Sequence, residues 1–159
     1  MFLSSMRQLM IIIVASFLMT ADVHAKNISL SGVQAVKVDL NDSAKGACWT
    51  NLKEVREYAE EKFRIKGIKV VEEYPKRNDR VVFEKGMYLF KVIVDASRLY
   101  TDGSGPCMGF IQISFYTHTW INNVWHLAGL NSFTSRAKNK TNFNNYAIRG
   151  VQSLFDDFQ

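Results

Sequence analysis

Beyond residue 25 the chain carries two histidines, His118 and His126, and two cysteines, Cys48 and Cys107. Imidazoles can act as general bases or metal ligands, and thiols as nucleophiles, metal ligands or disulfide partners. No second Cys or His stands at ligand spacing from either cysteine, so no metal centre is expected. In an oxidising compartment an even pair of cysteines reads as one disulfide, Cys48–Cys107; two separate free thiols are the alternative. His118 and His126 fall on opposite faces of the hairpin that contains them, so they do not share a ligand or a proton. The acid pairs Glu60-Glu61, Glu72-Glu73 and Asp156-Asp157 are sequence neighbours, and neighbours on a helix or strand point apart, which suits solvation better than a carboxylate dyad. Ser104 sits in a Gly-Ser-Gly turn followed by Pro106 and a strand, not in the strand–turn–helix of a nucleophile elbow. There is no phosphate loop and no dinucleotide fingerprint. No catalytic residue and no cofactor is expected, and the chain reads as a non-enzyme.

The chemistry left is recognition. Residues 109–121 and 124–133 alternate as two strands, and Asn122-Asn123 suits a two-residue turn because Asn tolerates left-handed backbone angles. That register sets Ile121 against Val124 and Trp120 against Trp125. One face then holds Ile111, Ile113, Phe115, Ile121, Val124, Ala128 and Leu130, the expected core side. The other holds Phe110, Gln112, Ser114, Tyr116, His118, Trp120, Trp125, Leu127 and Phe133. A mixed aromatic and polar face suits a binding platform, since aromatic rings bury large area at low entropic cost. Tyr116, His118, Trp120, Trp125 and Phe133 are its candidate residues. Cross-strand aromatic pairing that only stabilises the hairpin is the alternative.

The elements that must position this face follow from periodicity. Residues 33–40 alternate, with Val36, Val38 and Leu40 on one side. A helix follows, with Asn51 as its cap, Glu54 completing a capping box, and Leu52, Val55, Ala59 and Phe63 as its apolar stripe. Gly67 sits where a helix-terminating glycine belongs. Residues 68–71 form a short strand, and 74–85, polar and interrupted by Pro75, a loop. Residues 87–98 form a long strand with Tyr88, Phe90, Val92, Val94 and Ala96 on one face. Residues 101–106 (TDGSGP) are a turn and Cys107 opens the next strand. A last helix starts near residues 142–145, with Phe143, Ala147, Ile148, Val151, Leu154, Phe155 and Phe158 as its apolar face. The order β-α-β-β-β-β-α, ending in a meander, predicts a two-layer α+β sandwich with both helices on one sheet face.

Residues 1–25 stand apart. Arg7 precedes an apolar run, and Val23-His24-Ala25 offers small residues at the two positions a signal peptidase reads. The run is shorter than the roughly 20 residues a membrane-spanning helix needs. Residues 1–25 therefore read as a signal peptide cleaved after Ala25. Residues 26–159 read as a single α+β domain, periplasmic or secreted, without a transmembrane span. The net charge of +5 suits an anionic partner, though plain solubility explains it as well. The basic residues are scattered rather than blocked, and nucleic acid is not an expected partner. Asn27, Asn41 and Asn139 begin N-x-S/T triplets, glycan acceptors only in a eukaryotic host.

With its strand VKVDL, a helix preceded by a cysteine, KGIKVV, and a hairpin led by a second cysteine (GPCMGFIQISFY), the layout resembles small periplasmic α+β domains of bacterial envelope systems, such as the N-terminal domain of TolB and curli-secretion accessory proteins. The resemblance covers most of residues 33–158 and implies a fold, but it transfers no functional residue. The expected function is a soluble exported protein that binds a protein or envelope component through the aromatic sheet face. A secreted inhibitor or immunity-type protein, blocking a toxin or hydrolase, is the alternative.

Overall fold

The computed structural model describes residues 29–158 apart from Asp79 and Asn123. The side chains of Arg80, Val81, Trp120, Ile121, Val124, Trp125, Asn131, Lys138 and Asn139 also lie outside the description. The expected signal peptide, residues 1–25, and Asn27 fall outside the described residues as well.

Among the described residues seven strands and two helices follow one another: β1 (Ala35–Asp42), α1 (Leu52–Ile65), β2 (Lys69–Val70), β3 (Lys76–Arg77), β4 (Arg80–Val81), β5 (Met87–Arg98), β6 (Cys107–Ile121), β7 (Val124–Lys140) and α2 (Asn144–Asp156). Five strands form one sheet in the order β2-β1-β5-β6-β7, while β3 and β4 pair separately as a small hairpin. β1 runs parallel to β2 and β5, and β5, β6 and β7 form the antiparallel meander. The α+β sandwich follows, because β1 alternates inward Val36 and Val38 with outward Lys37 and Asp39, and β5 places Phe90, Val92, Val94 and Ala96 inward. Both helices cover that apolar face. α1 contributes Val55, Ala59 and Phe63, and α2 contributes Ala147, Val151, Leu154 and Phe155, to one continuous core.

The end of α1 is closed as its sequence requires. The Gly67 amide donates to the Arg64 carbonyl and the Ile68 amide to the Phe63 carbonyl, with Gly67 at φ +76°. These are the two bonds of a Schellman motif, and its usual apolar contact is supplied by buried Phe63 and Ile68. The start of α1 differs from expectation. Asn51 makes no side-chain cap; its Nδ2 donates to Glu54 Oε2 (2.9 Å), and its Oδ1 accepts the Trp49 indole N–H (3.0 Å). The indole of Trp49, which is buried, competes successfully for the oxygen that a cap would use.

Cys48 and Cys107 form the expected disulfide, and both are fully buried. It ties the segment before α1 to the first residue of β6. The same segment anchors α2: the Phe143 amide donates to the Cys48 carbonyl (2.7 Å), and Asn144 exchanges two hydrogen bonds with Thr50. One crosslink thus fixes the meeting point of both helices and the meander. The closed loop has a sequence separation of 59. Reduction, or the double substitution Cys48→Ala and Cys107→Ala, should therefore lower unfolding stability by about 4 kcal/mol in the chain-entropy account. Denaturant unfolding with and without reductant measures it, and unchanged stability would show that the crosslink is idle.

Candidate binding face

With both helices on one side, the other sheet face carries the chemistry. Strand pairing orders it in rows. Asp39, Lys91 and Ser114 lie abreast, flanked by the rows Lys37–Leu89–Tyr116–Gly129 and Asn41–Ile93–Gln112–Thr134. Asp95, Phe110 and Arg136 form a further row toward the disulfide end. Leu89, Ile93, Phe110 and Tyr116 are half-buried there with no helix over them, and Ser114 between them is buried and accepts a hydrogen bond from Gln112 (3.3 Å). The Tyr116 ring lies against the strand at Gly129, 3.6 Å from where a Cβ would stand.

The hairpin register agrees with expectation near the turn: Ile121 opposes Val124, Trp120 opposes Trp125, and Asn122 takes φ +50°. The side chains of both tryptophans lie outside the described residues. His118 opposes Leu127, and His126 opposes Thr119, which puts the two histidines on opposite faces. Among the described residues no group of three or more His, Cys, Asp or Glu comes together.

Farther along, a register shift changes the face. Tyr116 pairs with Gly129 but Phe115 with Asn131, so Leu130 is an extra residue bulged out of the ladder. One inserted residue exchanges the two faces of the strand beyond it. Phe133, expected on the open face, instead opposes Ile113 and packs against the core under α2, where Gly150 comes close to the Phe133 ring and the Ile113 side chain. Leu130, expected in the core, is 41% exposed. β7 also runs on to Lys140, past the expected end at residue 133.

The charged segment expected to be a plain loop is a flap. β3 and β4 pair Lys76 with Val81 and Arg77 with Arg80, and the Val82 amide closes the base by donating to the Pro75 carbonyl (2.7 Å). Its two ends carry Tyr74 and Phe83, whose rings meet edge to face at 5.0 Å. Phe83 stacks on His118 at 3.8 Å, and Tyr74 meets the same imidazole edge-on at 5.6 Å. Lys37 lies 5.6 Å over the Tyr74 ring. The flap therefore lies across one end of the face and partly covers His118. Burial pushes the imidazole below its ordinary value of 6.5, against the opposing effect of a hydrogen bond with the Met87 backbone. Burial first, and the Asp39 carboxylate second, push the Tyr74 phenol up to about 12. The sequence signal for this flap was the apolar run Val81-Val82-Phe83 inside a charged stretch.

No protein family matches the chain, and no curated protein does. Among solved structures it is similar to the PelC dodecamer from Paraburkholderia phytofirmans, at 12% identity and a TM-score of 0.38, over 82% of this chain and 89% of that one.

Two outcomes follow from this geometry. Phe133→Ala should cost about 3 kcal/mol, as for a core aromatic, whereas a ring on the open face would cost about 1 kcal/mol or less; thermal or denaturant unfolding decides. The second concerns pH. His118 takes up a proton near pH 6.5 when unfolded but only at lower pH when folded, so unfolding gains protons in between and stability falls as pH drops through that window. Glu73, held below 4.5 by Lys76, acts in a more acidic window. His118→Phe should flatten the stability profile between neutral pH and pH ~5; an unchanged slope would place the titration elsewhere.

Proposed function

We propose that this protein is an exported, non-enzymatic binding protein whose open sheet face docks another protein or an envelope component. The observation that carries the reading is the half-exposed cluster of Leu89, Ile93, Phe110 and Tyr116 on a sheet face that neither helix covers. Leu127 and Leu130, 47% and 41% exposed, extend it toward the turn. Exposed apolar side chains on an uncovered sheet face, interspersed with lysine and aspartate, are a feature of interaction sites. Export is supported by the buried disulfide, which belongs to an oxidising compartment, and by the signal-like residues 1–25. Among the described residues no helix is long and apolar enough to cross a membrane.

The test is site-specific photo-crosslinking in the exporting host. A photoreactive residue at Tyr116 should form adducts, while one at exposed Glu57 on α1 should not. Tyr116→Ala should abolish capture of the same adduct by a probe at Leu130, at a stability cost of about 1 kcal/mol or less. Equal adducts from both faces, or none from Tyr116, would sink the platform. An envelope component as the adduct fits the docking reading, and a single toxin or hydrolase fits the inhibitor reading. N-terminal sequencing of the exported chain should begin at Lys26.

A further inference from the structure

β7 ends the sheet, and its outer edge has no strand beside it among the described residues. Residues 131–137 run in regular register with β6 between two shifts, the bulge at Leu130 and an irregularity beyond Ala137. An unpaired regular edge is a template for another extended backbone. Its charge is one-sided. Residues 103–155 contain no Asp or Glu, and they carry Arg136, Lys138, Lys140 and Arg149. Arg136 is exposed and is in none of the ion pairs among the described residues. Asp95 shares its row two strands away, across Phe110. Beside Arg136, a groove of about 340 Å³ opens between Met108, Gly109 and Ala137.

We propose that this edge receives an extended acidic peptide segment, which adds to the sheet next to β7 with a carboxylate at Arg136 and an apolar side chain in the adjoining groove. Backbone pairing selects an extended chain over a polysaccharide, because only a peptide offers alternating N–H and C=O groups to the edge. The charges select an acidic segment over a second copy of this chain. A second copy pairing through its own β7 brings no carboxylate to Arg136, since residues 103–155 have none, and it duplicates the positive charge. The edge adjoins the open face at the Phe110–Arg136 row, but backbone pairing along β7 uses none of Leu89, Ile93 or Tyr116, so the inference does not depend on the platform.

The probe is a short acetylated peptide alternating Glu with Val. Its controls are a Lys-for-Glu counterpart and a counterpart N-methylated on alternate residues, which keeps the carboxylates but cannot pair. The readouts are fluorescence anisotropy of labelled peptide and amide hydrogen exchange of the protein. The Glu peptide should bind and slow exchange at residues 131–137. The Lys peptide, and the Glu peptide with Arg136→Glu protein, should bind about tenfold more weakly, and the N-methylated peptide should not bind. Arg136→Gln, with an unchanged melting temperature, guards against misfolding of the charge-reversed variant. Tyr116→Ala should leave peptide binding intact, which separates failure here from failure of the platform. Equal binding of the Lys peptide, equal binding of the N-methylated peptide, or protection that appears without peptide as protein concentration rises would each overturn the proposal.

Discussion

The ring of Phe63 is the contact on which the two layers depend. It projects from α1 and meets Phe90 of β5 at 5.2 Å, Phe115 of β6 at 5.9 Å and Phe155 of α2 at 4.6 Å, with Phe158 at 6.5 Å. Phe158 in turn lies 5.2 Å from Phe115, and Tyr88 stacks on Phe115 from the other side at 5.1 Å. Edge-to-face and tilted pairs of this kind add to the area they bury and fix orientation as well. α1, the sheet and α2 therefore share one cluster, and Ile68, next to the helix-ending Gly67, seals its rim. The Lys66 ammonium, donating to the Phe158 carbonyl at 3.1 Å, holds the end of the chain against the same corner.

A core built on one side of a sheet leaves the other side to be defined by what the strands turn outward. Here that is decided by register more than by composition. The bulge at Leu130 costs the ladder one regular pair, and in return it turns Phe133 inward to fill the space under Gly150. Without the bulge Phe133 would oppose Gln112 on the open face, Ser132 would take its place opposite Ile113, and Leu130 would oppose Phe115. The same insertion leaves Leu130 exposed beside Gly129, which the Tyr116 ring approaches. The exposure of Leu130 and the filling of the core by Phe133 are thus two consequences of a single extra residue.

The flap limits the face from the other direction. Tyr74 and Phe83 pack against His118 and partly cover it, so the imidazole joins their rings in a small satellite cluster. Its depressed basicity follows from that partial burial. Lys37 over Tyr74, and Asp39 beside it, mark where the flap ends and the open rows begin.

Much of this was legible from local pattern. The inward alternation of Val36 and Val38, the β5 alternation from Tyr88 to Ala96, the stripe of Val55, Ala59 and Phe63, the closing role of Gly67, and the turn at Asn122 all depend on backbone geometry and side-chain spacing that a short segment carries by itself. The Cys48–Cys107 bond was legible because a compartment and an even count left few pairings. Local pattern could not show the bulge at Leu130, because a strand reads the same by alternation on either side of an inserted residue; only the space beneath α2, which Phe133 fills opposite Ile113 where an unshifted strand would bring Ser132, resolves it. Nor could it show that Asn51 gives its oxygen to a buried indole in place of the helix, or that a charged segment folds back to set Tyr74 and Phe83 against His118. Each of these was settled by which group could be desolvated with a partner, and partners distant in sequence are chosen by the tertiary fold.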